Sequence, residues 1–132
     1  MTRAVLDTNI FISSLFWRGA PYQVVSKGLG GAFTILVSSE ILEEVRNVLS
    51  QKFKFPVEDT RAFIEVIVSK SEIVESSIVL NVVKQDPADN KIIECAVVGK
   101  ANYIVSGDTD LLSMKKYDTI EIVTPNKFLG LL

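Results

Sequence analysis

The sequence predicts one α/β domain built on a parallel sheet. Two patterns carry that prediction. Short β-branched runs alternate with helix-length amphipathic stretches, the order expected of βαβ units. The 132 residues also include 17 Val and 13 Ile, a composition suited to strands covered on both faces. The length fits a single domain spanning residues 1–132, with no linker, low-complexity tract or internal repeat to divide it.

Taken in order, Ala4-Val5-Leu6 reads as a short buried strand, followed by a helical stretch at about 11–26. Gly28, Gly30 and Gly31 form a turn before a second strand, Phe33 to Val37; they do not follow a strand, as a dinucleotide-binding loop must. Helical patterns then cover about 39–50 and 57–69. Segment 71–83 is apolar with mixed periodicity and reads as neither helix nor strand. Asp86-Pro87-Ala88-Asp89 is an orderly helix start, with an Asp cap, Pro at the first helical position and an acid at the third, and it opens a helix at about 89–100. Tyr103-Ile104-Val105 and Ile120 to Val123 supply two further strands. Pro125 opens a last helical turn through Phe128 and Leu129.

Composition removes several kinds of chemistry. There is no histidine, which excludes Ser-His-Asp and Cys-His nucleophiles, an imidazole base and His-ligated zinc or haem. One cysteine, Cys95, cannot form an internal disulfide, and its apolar surroundings read as packing in a reducing cytoplasm. The net charge of −2 argues against binding nucleic acid mainly through a strong positive field, but leaves room for an acidic nuclease site. No run of 18 apolar residues suggests a membrane span, and Asp7 interrupts the only stretch that resembles a secretory leader.

The acids carry the functional signal. Asp7 follows the first strand, Glu40, Glu43 and Glu44 open the helix after the second, and Asp108 and Asp110 follow the strand at 103–105 across Gly107. In a parallel sheet the carboxyl ends of the strands share one edge, where open α/β folds bind ligands. Asp7 alone would pass for a helix cap. At about 100° per residue, Glu43 lies opposite the apolar face of Ile41, Leu42, Val45, Val48 and Leu49. Glu40 lies far to one side, so both suit a solvent-facing first turn, whereas Glu44 sits at the edge of the apolar face. Asp89 shares a face with Ile92, Ile93 and Ala96, where a carboxylate costs several kcal/mol unless it is paired or binds a metal. Asp108 and Asp110, two apart, suit either a turn and cap or an oxygen-ligated cation.

Four or five convergent carboxylates without histidine need a cation to stay ionised together. Hard oxygen ligands favour Mg²⁺ or Mn²⁺, one ion or two, with coordination positions left for phosphate. The matching chemistry is phosphodiester hydrolysis. Elsewhere, Lys52-Phe53-Lys54-Phe55 interleaves cations and rings in a way that could stack bases and hold phosphate, although a plain helix end explains it more simply. Trp17-Arg18 reads as a surface contact or a helix end. Ser13, Ser14 and Ser106 have no partner that would make them nucleophiles.

These motifs resemble the PIN-domain family of small metal-dependent ribonucleases, which often serve as the toxin of a toxin–antitoxin pair. The resemblance rests on Val5-Leu6-Asp7-Thr8-Asn9, on Ser38 to Val45 with Glu44, and on Asp86-Pro87-Ala88-Asp89 running into Ala96. It continues with Ser106-Gly107-Asp108-Thr109-Asp110-Leu111-Leu112 and the tail Ile122-Val123-Thr124-Pro125 with Phe128. It keeps the motif order almost end to end, with segment 51–83 adding little.

The resemblance implies a three-layer α/β/α fold whose central parallel sheet is flanked by helices. It implies an acidic quartet of Asp7, Glu44, Asp89 and Asp108 around Mg²⁺ or Mn²⁺, with Asp110 as a further ligand and Asn9 supporting Asp7. Glu40 or Glu43 would take Glu44's place under a shifted alignment. It also implies a homodimer and an antitoxin protein covering the acidic cleft. The leading expectation is a cytoplasmic endoribonuclease acting on single-stranded or looped RNA, with Lys52 and Lys54 as weak substrate contacts. The alternative is a catalytically silent PIN-like module that binds RNA or protein. A phosphatase using Asp7 as nucleophile ranks below both, because Asn9 occupies the position where a second Asp commonly stands.

Overall fold

The structure is a computed structural model that describes residues 1–75, 78–80 and 87–132, with the backbone alone at 87 and 88. Its strands are Arg3–Leu6 (β1), Thr34–Ser38 (β2), Ser71–Val74 (β3), Tyr103–Val105 (β4), Lys116–Tyr117 (β5) and Ile120–Val123 (β6). Its helices are Thr8–Phe16 (α1), Ala20–Leu29 (α2), Ser39–Asn47 (α3), Val57–Lys70 (α4), Pro87–Val98 (α5), Thr109–Met114 (α6) and Pro125–Leu131 (α7). A π-helical turn, Val48–Lys52, extends α3.

The strands form one sheet in the order β3-β2-β1-β4-β6-β5, parallel except for the β5–β6 pair. From β1 the chain winds outward through β2 to β3, then restarts on the other side of β1 with β4. The strand order therefore reverses between β1 and β4, the topological switch point where open α/β sheets leave a crevice. Right-handed crossovers in the two directions cover both faces of the sheet with helices. Accordingly α5 packs on β1, β2 and β4, while α2 packs on β2, α4 and α7.

Burial on both faces explains the β-branched runs. Ala4, Val5, Leu6, Ile35, Leu36, Val37, Ile104 and Val105 are fully buried. Phe128 of α7 stands edge-on to Phe33 and Tyr103, with ring centroids 4.9 and 5.7 Å away, which anchors the tail to the core. Gly28 sits where α2 crosses the sheet: a Cβ there would lie 2.6 Å from Ile35, so a side chain would force the helix off the strand.

Four expectations change in detail. The stretch at 11–26 is two helices, because the chain leaves α1 at Trp17 in an extended conformation and restarts at Gly19, with Pro21 in the first turn of α2. Segment 71–83 contributes the edge strand β3, whose residues are mostly exposed and so lack a clean alternation. The six-residue helix α6 follows the Asp108 turn, where the sequence predicts no helix. A two-residue hairpin strand, β5, precedes β6, with Lys115 and Asp118 at positive φ flanking it. The predicted cap Asp86 lies outside the described residues, as do residues 76, 77 and 81–83 of the undecided segment.

Candidate functional site

The switch point positions the acids. Leu6 pairs with Val105 in the β1–β4 ladder, so Asp7 and Ser106 are the next residues beyond the end of that pairing. The Asp7 N–H donates to the Val105 carbonyl at 3.0 Å, and the Ser106 N–H donates to the Val123 carbonyl at 3.0 Å. Asp7 stands at the N-cap position of α1 but makes no side-chain capping bond. Its Oδ2 instead accepts from Ser106 Oγ at 2.7 Å, and Ser106 Oγ accepts from the Asp108 N–H at 2.9 Å. With its lone pair engaged by Asp108, the Ser106 hydroxyl directs its proton to Asp7. Sequence reading passed over Ser106 because it lacks the partners of a nucleophile. The signal was its register opposite Asp7.

Asp108 has a second structural task. Its Oδ1 accepts from the Asp110 N–H at 2.8 Å and the Leu111 N–H at 3.2 Å, capping α6. Both bonds fall on one oxygen, so the cap does not occupy the other. Asp89 enters from α5 and is buried, as its alignment with Ile92, Ile93 and Ala96 predicts. Asp89, Asp108 and Asp110 place carboxylate oxygens within 4.8 Å of one another. Oxygens about 2.1 Å from a shared Mg²⁺ are at most ~4.2 Å apart, so a small inward turn of these carboxylates would close them on one ion. The donor set is all oxygen and fits a hard divalent cation.

Asp7 is only 5% exposed. Burial pushes its pKa up; hydrogen bonds from Ser106 and the Thr8 backbone oppose that, and the charges of Glu44 and Asp108 add to the rise. Glu44, half-buried on α3, is therefore close enough to Asp7 to act on its charge. Glu43 is exposed and bonded to Arg46, the solvent-facing role its helical phase indicated. Glu40 is exposed at the start of α3. Among the described residues, no Lys or Arg forms an ion pair with Asp7, Glu44, Asp108 or Asp110.

An open cleft of ≈ 590 Å³ adjoins these acids. Asn9 and Ser13 of α1, Pro21 of α2, Gly107 and Asp108, and Asn126 of α7 lie along it. Asn9 is exposed on this wall rather than bonded to Asp7; the support for Asp7 comes from Ser106. Lys52 and Lys54 are exposed at the far end of α3's extension and do not line the cleft. Cys95 is buried, its thiol pushed up to about 12 chiefly by burial, as expected of a packing residue. Buried Glu94 went unremarked in the sequence; it accepts from the Leu80 N–H at 2.9 Å and pairs with Lys91 at 3.4 Å.

No helix among the described residues is long and apolar enough to cross a membrane. Comparison with known proteins places this geometry in context. No curated protein matches the chain. Among solved structures, a chain from the crystal structure of VapBC2 from Rickettsia felis, bound to a DNA fragment from their promoter, superposes with a TM-score of 0.67. It is 18% identical, and the match covers 93% of this chain and 98% of that one, so the likeness is one of fold. The family model described as PIN domain matches residues 3–110, which include every acid of the site. The chain belongs to the PIN-domain family.

Proposed function

We propose that the chain is a Mg²⁺- or Mn²⁺-dependent endoribonuclease that hydrolyses phosphodiester bonds in single-stranded or looped RNA. The observation that carries this reading is the meeting of Asp89, Asp108 and Asp110 oxygens within 4.8 Å, beside Asp7 at the switch point. Asp89, Asp108 and Asp110 would hold the ion, with Asp7 and Glu44 completing the acidic wall. A divalent ion bound there supplies a Lewis acid that polarises a phosphoryl oxygen and acidifies water.

The chain's own groups do the rest. Asp7, held by Ser106 and with its proton affinity raised by burial, accepts a proton from the attacking water. Ser106 keeps the Asp7 carboxylate in one orientation while its bond to the Asp108 N–H ties Asp7 to the α6 turn. Asn9, Ser13 and Asn126 line the cleft and offer hydrogen bonds to the sugar–phosphate strand. No side chain here is placed as a covalent nucleophile.

The same reading makes the chain the toxin of a toxin–antitoxin pair in the cytoplasm, with an antitoxin over the cleft and a second copy as its homodimer partner. The likeness to a chain of VapBC2 supports it. Exposed Val57, Val66 and Val68 on α4 are apolar surface that such contacts would cover. The test is cleavage of a single-stranded RNA in Mn²⁺ and in EDTA. Metal-dependent cutting by the parent, absent in Asp7→Asn and Asp108→Asn, supports the proposal. Equal cutting by the parent and both variants sinks the site, and Mn²⁺ binding without cutting by the parent makes the chain a silent module.

A further inference from the structure

An exposed aromatic surface lies at the end of α1. Along α1, Asn9, Ser13 and Phe16 fall within about 60° of one another, so they form one stripe. Asn9 and Ser13 line the cleft, and Phe16 continues the stripe about 4.5 Å beyond Ser13 along the helix. There the end of α1 meets the segment that follows the π-helical turn. Phe16 stacks on Phe53 with centroids 4.9 Å apart and planes inclined by 24°, and meets Trp17 and Phe55 edge-on at 5.8 Å each. Lys54 adopts a left-handed conformation, φ 53°, between Phe53 and Phe55.

Joining two helix ends accounts for half-buried Phe55, but not for the rings left in water. Trp17 is 61% exposed and Phe53 38%. Apolar area of this kind is unfavourable in water by about 25 cal/mol per Å², so it invites a cover.

Charge indicates which cover. The segments that carry the rings, residues 8–18 and 48–57, contain Arg18, Lys52 and Lys54 and not one Asp or Glu. Arg18, Lys52 and Lys54 form no ion pair among the described residues, and the Arg18 guanidinium lies over the Tyr22 ring at 4.3 Å. In a chain of net charge −2, Arg18 follows Trp17 directly, and Lys52 and Lys54 flank Phe53. Planar apolar faces interleaved with cations match a strand of unpaired bases, whose faces stack while its phosphates meet Lys and Arg. Duplex RNA keeps its base faces within the helix and cannot use the rings in this way.

We propose that Phe16, Trp17 and Phe53, with Arg18, Lys52 and Lys54, form a base-stacking platform that holds unpaired RNA on its way into the cleft. The proposal rests on the ribonuclease reading for why such a strand is present. It deepens that reading by naming the residues that would set its preference for single strands.

Trp17 is the only tryptophan in the chain, so its emission reports on the platform directly. The experiment titrates the chain in EDTA, where cutting is stopped, with a 12-nucleotide oligouridylate, a 12-base-pair RNA duplex and an oligoglutamate peptide. Saturable quenching of Trp17 by the single strand alone is expected, weakening as salt rises. By anisotropy of labelled oligouridylate, Trp17→Ala and Phe53→Ala should each bind about 5- to 100-fold more weakly. In Mn²⁺ the same variants should act through KM.

Quenching by the peptide but not by RNA would make the patch a protein interface and overturn the proposal. So would equal quenching by single strand and duplex, or unchanged emission with parent-like binding by both variants. The two readings can fail separately. Asp108→Asn should lose cutting and keep the Trp17 response, and a chain that never cuts yet still gives that response fails only as a nuclease.

Discussion

The two ends of the sheet handle charge in opposite ways. At the amino end, Arg3 reaches Glu72 at 2.6 Å across the edge from β1 to β3, and its guanidinium also donates to the Gly99 carbonyl at 2.7 Å. That pair is exposed and complete in itself. At the carboxyl end, Asp7, Glu44, Asp89, Asp108 and Asp110 gather, with Asp7 and Asp89 nearly sealed from water. A fold selected for stability alone would treat both ends like the first. The carboxyl end instead gathers acids, and among the described residues no Lys or Arg is ion-paired to Asp7, Glu44, Asp108 or Asp110, an arrangement that fits the proposed cation site.

The strongest way to break this contrast is to remove one acid. Asp108→Asn should lower kcat for RNA cleavage by more than about 100-fold, because it removes a ligand as well as its charge. Circular dichroism should show the fold retained, since the amide oxygen still caps α6. Undiminished turnover would place the chemistry elsewhere.

Ser106→Ala probes the wiring beneath the acids. Without the hydroxyl, Asp7 loses its donor and the Asp108 N–H loses its acceptor, so kcat should fall by about 10- to 100-fold with KM little changed. A loss of binding alone, seen as a raised KM at parent kcat, would contradict a positioning role.

Stability supplies the third test. Burial, with the Glu44 and Asp108 charges, raises the pKa of Asp7, so the folded chain binds that proton more tightly than the unfolded chain does. The stabilising contribution of this proton is therefore complete below the ordinary carboxylate pKa and is lost as pH rises through the raised folded value. In EDTA at pH 7, Asp7→Asn should melt at a higher temperature than the parent, and the gap should close on acidification. Mn²⁺ should reverse the order by stabilising the parent more. A parent that is the more stable protein in EDTA at neutral pH would refute the claim that burial of this acid outweighs its hydrogen bonds.

The smallest effect belongs to the amino end. Glu72→Ala removes a solvent-exposed pair worth about 0–1 kcal/mol, so melting should shift slightly and cleavage should not change. A large loss of activity would show that the two ends are coupled.

Much of this plan was legible in the sequence, and the exceptions share a cause. β1, β2, β4 and β6 are buried on both faces, so their β-branched runs stand out. The placement of Asp7 and Asp108 follows from strand ends alone, and the burial of Asp89 from helical phase. By contrast, β3 lies at an edge with exposed residues, and β5 and α6 are too short to show a period. The break between α1 and α2 was hidden because apolar residues continue on both sides of Gly19 and Pro21. Ser106 reaches Asp7 across 99 positions of sequence, and no local pattern reports that. The aromatic platform likewise arises from the meeting of two distant segments. Its Lys-Phe-Lys-Phe motif and Trp17-Arg18 were each visible, but their meeting through Phe16 was not.

The central claim is that acids from separate strands and helices converge to hold one divalent cation. Anomalous diffraction from crystals soaked in Mn²⁺ tests it most directly. The expected result is a peak bound by Asp89, Asp108 and Asp110 carboxylate oxygens at about 2.1 Å, with Asp7 adjoining it. Well-ordered carboxylates at saturating Mn²⁺ with no peak among them would contradict it.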